Sequence, residues 1–292
     1  MTRTSKHYGT LSGGLTYLRV GSGPPLVILP GLTLNHEALV GQARQTQARQ
    51  LRPFTADREV WWINRKPGLT ADTTMADLAE HYATALHDKF GTAVDVLGLS
   101  TGGTVALQLA VDHPETVRRL VVVASAYRLG SEGRLAQLRA AEALTEQRRD
   151  DAGAALLPMF TTNPALQGLL AQVGRVVGPG LFAQASPDLA ITLFAEDDVD
   201  LRDRLGRITA PTLVIGGDKD PMYPVELFQE TAELIPNGRL SLLPGKGHIT
   251  VQAGPFLARD VLTFLNMDEP AQYRGDTGTE GENPPAEPDY RS

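Results

Sequence analysis

The stretch AVDVLGLSTGGTVALQLAVDH, residues 93–113, decides the fold. Its first half, Ala93–Leu99, is a short apolar run of the kind that forms a strand covered on both faces. Its second half, TVALQLAVDH, reads as a helix. Between them stands Gly98-Leu99-Ser100-Thr101-Gly102-Gly103. A G-x-S-x-G pattern between strand and helix makes a sharp turn that holds a hydroxyl at its tip. The glycines have a mechanical reason, because side chains two residues from the tip would collide with the turn. The helix behind it aims free N–H groups at the place where negative charge would develop.

Similar apolar runs flank this unit. Leu26–Pro30 (LVILP), introduced by Gly21-Ser22-Gly23-Pro24, and Glu59–Asn64 (EVWWIN) precede it; Leu120–Ala124 (LVVVA), Thr212–Gly216 (TLVIG) and Leu240–Leu243 (LSLL) follow. Helical spacing fills the gaps: Met75, Leu78, Tyr82, Leu86 and Phe90; Leu227/Phe228, Thr231 and Leu234/Ile235; Phe256/Leu257, Val261 and Phe264/Leu265. The alternation predicts an α/β fold, a mostly parallel twisted sheet with helices on both faces.

From Tyr127 to Arg207 the β runs stop. Helices are expected over Arg134–Arg149, Pro164–Val177 and Pro187–Ala195, the last with Ser186 as N-cap and Pro187 in its first turn. An all-helical insertion reads as a cap or lid. The expected organisation is a core of residues 1–126 and 208–267, a helical cap of 127–207 and an acidic tail of 268–292. Met159, Phe160 and Phe194 are the cap side chains expected to face a substrate pocket. The tail holds seven acids, two bases, four prolines and no Leu, Ile, Val or Phe, a composition that predicts disorder.

The 292 residues include Lys+Arg 27, Asp+Glu 34 and no cysteine, for a net charge of −7. Lack of cysteine excludes disulfides, thiol nucleophiles, iron–sulfur clusters and Cys-ligated zinc. The mild acidity gives no electrostatic reason to expect nucleic acid or anionic membrane. No window approaches the ~20 apolar residues of a membrane span, and MTRTSKHYGTLSGG lacks the apolar centre of a signal peptide. The expectation is a soluble cytoplasmic protein acting on a small-molecule substrate, without nucleic-acid or membrane partner.

A serine hydroxyl needs a base to take its proton, and that base needs a third group to orient it. Of six histidines, His7 sits in the N-terminal segment, His81 and His87 lie on a helix with its own apolar stripe, and His113 precedes Pro114 at a helix end. His36 follows the first glycine loop and is a candidate to line the pocket. His248, in Pro244-Gly245-Lys246-Gly247-His248 after the last predicted strand, is the candidate base, since parallel sheets place their chemistry at strand C-termini. For the acid, Asp218 and Asp220 both follow the strand Thr212–Gly216, and spacing does not choose between them. Glu196-Asp197-Asp198 reads as a solvated helix terminus.

With Ser100, an aspartate and His248 in that order, the chain resembles the capped α/β-hydrolases over about residues 8–266. The family's G-x-x-D-x-x-x-P pattern falls on Gly217, Asp220 and Pro224, so the resemblance implies Asp220 as the acid; its Gly-His pair falls on Gly247-His248. The family's His-Gly oxyanion loop appears as Pro30-Gly31, without the histidine, and implies the backbone N–H groups of Leu32 and Thr101 as oxyanion donors. Its D-x-R-G-x-G segment is matched loosely by Asn64-Arg65-Lys66-Pro67-Gly68. Serine at the elbow separates the chain from the epoxide hydrolases and haloalkane dehalogenases of this fold, which use aspartate. The resemblance implies a serine hydrolase working through an acyl-enzyme on a carboxylic ester, thioester or lactone of modest size and partly apolar character, with no metal or organic cofactor. C–C bond hydrolases, cofactor-free perhydrolases and weakly catalytic receptors share the fold and form the alternatives.

Overall fold

Strands β1 (Lys6–Thr10), β2 (Thr16–Gly21), β3 (Pro25–Leu29), β4 (Glu59–Ile63), β5 (Val94–Leu99), β6 (Val117–Val123), β7 (Thr212–Gly217) and β8 (Gly238–Leu243) form one sheet. Their order is β1-β2-β4-β3-β5-β6-β7-β8 in the computed structural model, which describes residues 6–253 and 255–267. Strands β3 to β8 pair in parallel, while β1 and β2 add an antiparallel edge. The six parallel strands match the apolar runs in the sequence. The antiparallel pair has no such run, because β1 is largely exposed and β2 buries only every second residue.

The helices are α1 (Gly41–Leu51), α2 (Met75–Phe90), α3 (Thr101–Asp112), α4 (Ser131–Thr145), α5 (Arg149–Leu156), α6 (Pro164–Leu181), α7 (Pro187–Asp197), α8 (Val225–Leu234), α9 (His248–Val251) and α10 (Pro255–Leu265). Both sheet faces are covered. Val27, Leu29, Trp61, Ile63 and Val96 pack with Leu78, Tyr82, Val105 and Leu109 of α2 and α3 on one side. Leu26, Ile28, Val60, Trp62 and Leu97 pack with Ala48, Leu51, Leu257, Val261 and Phe264 on the other. Successive strand residues point to opposite faces, so continuous apolar runs are what a doubly covered sheet requires. Helix α2 has clear ends: Thr74 and Asp77 form a reciprocal capping box, and Gly91 (φ 65°) closes the C-terminus.

Between β6 and β7 the described chain makes only helices, α4 to α7. Two details differ from the sequence reading. Ser186 precedes α7 as expected, but its hydroxyl makes no cap bond; its amide instead donates to Leu34 O at 2.8 Å, tying the helix start to the loop after β3. Helices α1 and α5 were not anticipated, and α1 (GQARQTQARQL) buries only Ala48 and Leu51, too little for a stripe. Among the described residues no helix is long and apolar enough to cross a membrane. The expected tail, 268–292, lies outside the described residues.

Candidate active site

Strand β5 ends at Leu99 and α3 begins at Thr101, so Ser100 alone makes the turn. Its backbone sits at φ 50°, ψ −125°, a conformation that costs a residue with a side chain on the order of 1–3 kcal/mol. The surroundings hold it there. Ser100 N–H donates to Val123 O on β6 at 2.8 Å, and its carbonyl accepts from Gly103 N–H at 2.6 Å. The flanking glycines leave no alternative: a Cβ at Gly98 would lie 2.4 Å from Gly102 O, and one at Gly102 2.2 Å from Leu29 O.

The structure brings Ser100, His248 and Asp220 into one hydrogen-bonded run. Ser100 Oγ lies 2.9 Å from His248 Nε2, and His248 Nδ1 lies 2.9 Å from Asp220 Oδ2. All three are buried. A carboxylate only accepts, so Nδ1 carries the ring proton and Nε2 is left to accept from the serine hydroxyl. Asp220 Oδ1 accepts from the amides of Met222 (2.9 Å) and Tyr223 (3.2 Å), which fixes the carboxylate plane. Asp218, the other aspartate of this loop, turns away from the histidine: its Oδ1 accepts from Gly245 N–H at 2.6 Å and braces the loop that delivers His248.

The loop after β3 lies against the turn. A Cβ at Gly31 would stand 3.4 Å from Ser100 Cβ, so Leu32 is the next residue along a loop already in contact with the nucleophile candidate. Thr101 is the first residue of α3, where a helix leaves its amides unpaired. These are the two positions expected to hold an oxyanion.

The Pro30-Gly31 segment, which stands where the family pattern has His-Gly, is held by Arg65. This side chain is 1% exposed and lies just beyond β4. Its Nη1 donates to Pro30 O (2.9 Å), Nη2 to Gly31 O (2.8 Å) and Thr33 Oγ1 (3.1 Å), and Nε to His36 Nε2 (3.1 Å). Burial pulls the guanidinium below its ordinary pKa, but four hydrogen bonds to fixed acceptors compensate its desolvation. The signal in the sequence was an arginine immediately after a buried strand, in the loosely matched Asn64–Gly68 segment.

His36 was expected to line a pocket, and the structure places it elsewhere. It is fully buried, with Nδ1 donating to Lys66 O at 2.9 Å and Nε2 accepting from Arg65. Burial, then the Arg65 charge, lower its pKa to about 4, so it is a neutral prop for the arginine. With both ring nitrogens engaged it has nothing to offer a substrate. Asp188 on α7 extends this support by accepting from the amides of Gly68 (3.0 Å) and Leu69 (2.8 Å).

Phe194 also stands away from the site. It is exposed and borders a surface groove with Thr74, Gln108 and Arg204, because α7 turns Glu196, two residues on, toward Thr101. Met159 is buried in the same cluster as Met222 and Tyr223. Phe160 is half exposed, with its carbonyl 3.9 Å from a Cβ built on Gly247, beside the histidine loop. Glu196 corrects the reading of 196–198 as solvated: it is 1% exposed and accepts from Thr101 Oγ1 and Thr104 Oγ1, each at 2.7 Å. Nothing in local sequence separates it from its neighbour Asp197, which pairs with exposed Arg134.

Gln137 on α4 is fully buried, and both atoms of its amide lack a partner. It lies one turn beyond Gly133, which packs on Met222. An unpaired buried amide is costly, while methionine has similar volume and no such need. Gln137→Met is therefore expected to stabilise the free protein by about 1–2 kcal/mol, raising Tm by roughly 2–4 °C per kcal/mol. Thermal unfolding checks this, and a lower Tm would show that the amide has a partner after all.

The sequence model of the alpha/beta hydrolase family matches residues 26–262, and the chain belongs to that family of enzymes. It is 28% identical over 243 residues to the pimeloyl-[acyl-carrier protein] methyl ester esterase of Photobacterium profundum, covering 82% of this chain and 92% of that protein. Among solved structures it is similar to the enol-lactonase from Burkholderia xenovorans LB400, with TM-score 0.69 and 20% identity over 89% of this chain and 100% of the other. It is also similar to MGS-M2, an alpha/beta hydrolase from a Medee basin deep-sea metagenome library, with TM-score 0.73 and 17% identity over 94% and 99% of the two chains.

Proposed function

We propose that this chain is a serine esterase that cleaves a carboxylic ester, thioester or lactone of small to medium size through an acyl-enzyme. The observation that carries the reading is the run Ser100–His248–Asp220, with 2.9 Å at each contact, on a strained turn. In this reading His248 Nε2 takes the Ser100 proton as Oγ attacks the carbonyl carbon, and then delivers that proton to the leaving oxygen or sulfur. Water repeats the sequence on the acyl-enzyme. Asp220 holds the Nδ1–H tautomer and stabilises the imidazolium. The Leu32 and Thr101 amides receive the oxyanion, each worth on the order of 2.7–4 kcal/mol if they behave as such donors do.

The same proposal takes 127–207 as a cap over a core of 1–126 and 208–267, with Met159 and Phe160 on the histidine side of the substrate space. A partly apolar acyl group suits these side chains. The relative from Photobacterium, named for a methyl ester, supports starting with methyl esters. The absence of cysteine accords with a cytoplasmic setting.

The test is a series of methyl and p-nitrophenyl esters of increasing acyl length, together with fluorophosphonate labelling and mass mapping. Turnover with a chain-length optimum and label on Ser100 is the expected result. A ligand-dependent rise in Tm without turnover would favour a receptor instead. Label on another residue would overturn the assigned site.

A further inference from the structure

The catalytic steps proposed above leave the buried carboxylate of Glu196 unused. Glu196 lies in the last turn of α7, within the inserted helices, yet its carboxylate reaches the core. Three hydroxyls converge on it: Thr101 Oγ1 on Oε2 at 2.7 Å, Thr104 Oγ1 on Oε1 at 2.7 Å, and Tyr223 OH on Oε1 at 3.3 Å. Ser125 Oγ lies 3.1 Å behind Thr104 Oγ1 and extends the network. Among the described residues no Lys, Arg or His lies within ion-pairing distance of Glu196. Every bond to the carboxylate comes from a hydroxyl with a proton to give.

Each donor belongs to a different part of the site. Thr101 follows the nucleophile candidate and supplies a proposed oxyanion amide. Thr104 is one turn further along the same helix. Tyr223 stacks on the His248 ring, with centroids 5.9 Å apart and planes 17° apart, and its amide holds Asp220 Oδ1. Burial, with Glu196 beside it, raises the Tyr223 phenol well above its ordinary pKa, so the phenol remains a donor.

We infer that Glu196 is a positioning residue: from the inserted helices, its carboxylate sets the first turn of α3 and the Tyr223 face of His248 in their working arrangement. The inference rests on the serine-esterase reading and deepens it. Seating α7 delivers the carboxylate to the three hydroxyls, so the placement of the inserted helices and the alignment of Thr101 N–H and His248 become one event. Asp220 and Tyr223 of the β7–α8 loop contact His248, and Glu196 of α7 reaches it through the Tyr223 hydroxyl.

The experiment compares wild type with Glu196→Gln, Glu196→Asp and Glu196→Ala on one p-nitrophenyl ester, reading kcat, KM and Tm. Glutamine keeps the shape but puts an amide NH₂ where a carboxylate oxygen accepted a hydroxyl. Its kcat is expected to fall by roughly 10- to 100-fold with KM within about threefold. Aspartate keeps both acceptor oxygens but is one methylene short, so its kcat is expected to fall less than that of the Gln variant. Alanine is expected to lose at least as much kcat as glutamine, again with KM little changed. Wild-type kcat in both Gln and Ala variants would overturn the positioning role. So would a loss of Tm in the Gln variant with kcat unchanged. Wild-type protein inert to esters and fluorophosphonate alike would instead overturn the esterase reading.

Discussion

Ser100→Ala is expected to lower kcat/KM for p-nitrophenyl esters by on the order of 10⁴-fold or more, with no loss of thermal stability. The size follows from the chemistry: without Oγ there is no acyl-enzyme, and water positioned by His248 is left with whatever the oxyanion amides supply. The stability follows from the backbone. Ser100 holds its turn through N–H to Val123 O and through its carbonyl, which alanine retains, and only the Oγ–His248 contact disappears. Alanine carries the same strain at φ 50°, so a fall in Tm of many degrees would point to a structural hydroxyl. Steady-state kinetics on both proteins, with fluorophosphonate labelling, checks the result. A variant within tenfold of wild type would sink Ser100 as nucleophile.

The sequence was most legible where local rules and tertiary demands coincide. A doubly covered parallel strand must be apolar throughout, so β3 to β7 announced themselves, while half-buried β8 at the far edge showed only through Leu240, Leu242 and Leu243. The strand–Ser–helix junction could be placed without knowing the rest of the chain. Edge strands have no such obligation: β1 is mostly exposed, and its polar residues are indistinguishable from a loop. Helix α1 was hidden for the same reason. His248 was legible because it follows the last strand on a glycine-rich loop.

The support around the site was less legible, because it depends on which side chains meet across the fold. Arg65 and His36 are 29 residues apart and Glu196 and Thr101 are 95 apart, yet each pair is joined by a buried hydrogen bond. A charged residue in isolation reads as exposed, since few are buried without partners. Glu196 looked solvated and His36 looked like a pocket residue because neither partner was visible in the neighbouring sequence. The loop without its histidine shows the same point from the other side. Pro30-Gly31 departs from the family pattern, but the carbonyls of those two residues are what Arg65 grips, and the loop lies against Ser100.

Asp218 and Asp220 could not be ranked by spacing, and the structure turns the choice into an unequal pair of substitutions. Asp220→Asn is expected to reduce kcat/KM by about 10³–10⁴-fold. Its Oδ1 position accepts from two backbone amides, so the asparagine carbonyl must stay there and the NH₂ must face His248 Nδ1. A donor at that place forces Nδ1 to accept and moves the ring proton to Nε2, where it meets the Ser100 hydroxyl instead of taking its proton. The loss should fall on kcat with KM little changed, because the tautomer matters to proton transfer more than to binding. Asp218→Asn keeps a carbonyl oxygen to accept from Gly245 N–H, so its kcat/KM is expected to stay within about threefold of wild type. Kinetics on the two variants, with Tm to verify folding, checks both values at once. A larger loss in Asp218→Asn than in Asp220→Asn would reverse the assignment of the acid, since the two carboxylates differ in what their second oxygen must hold.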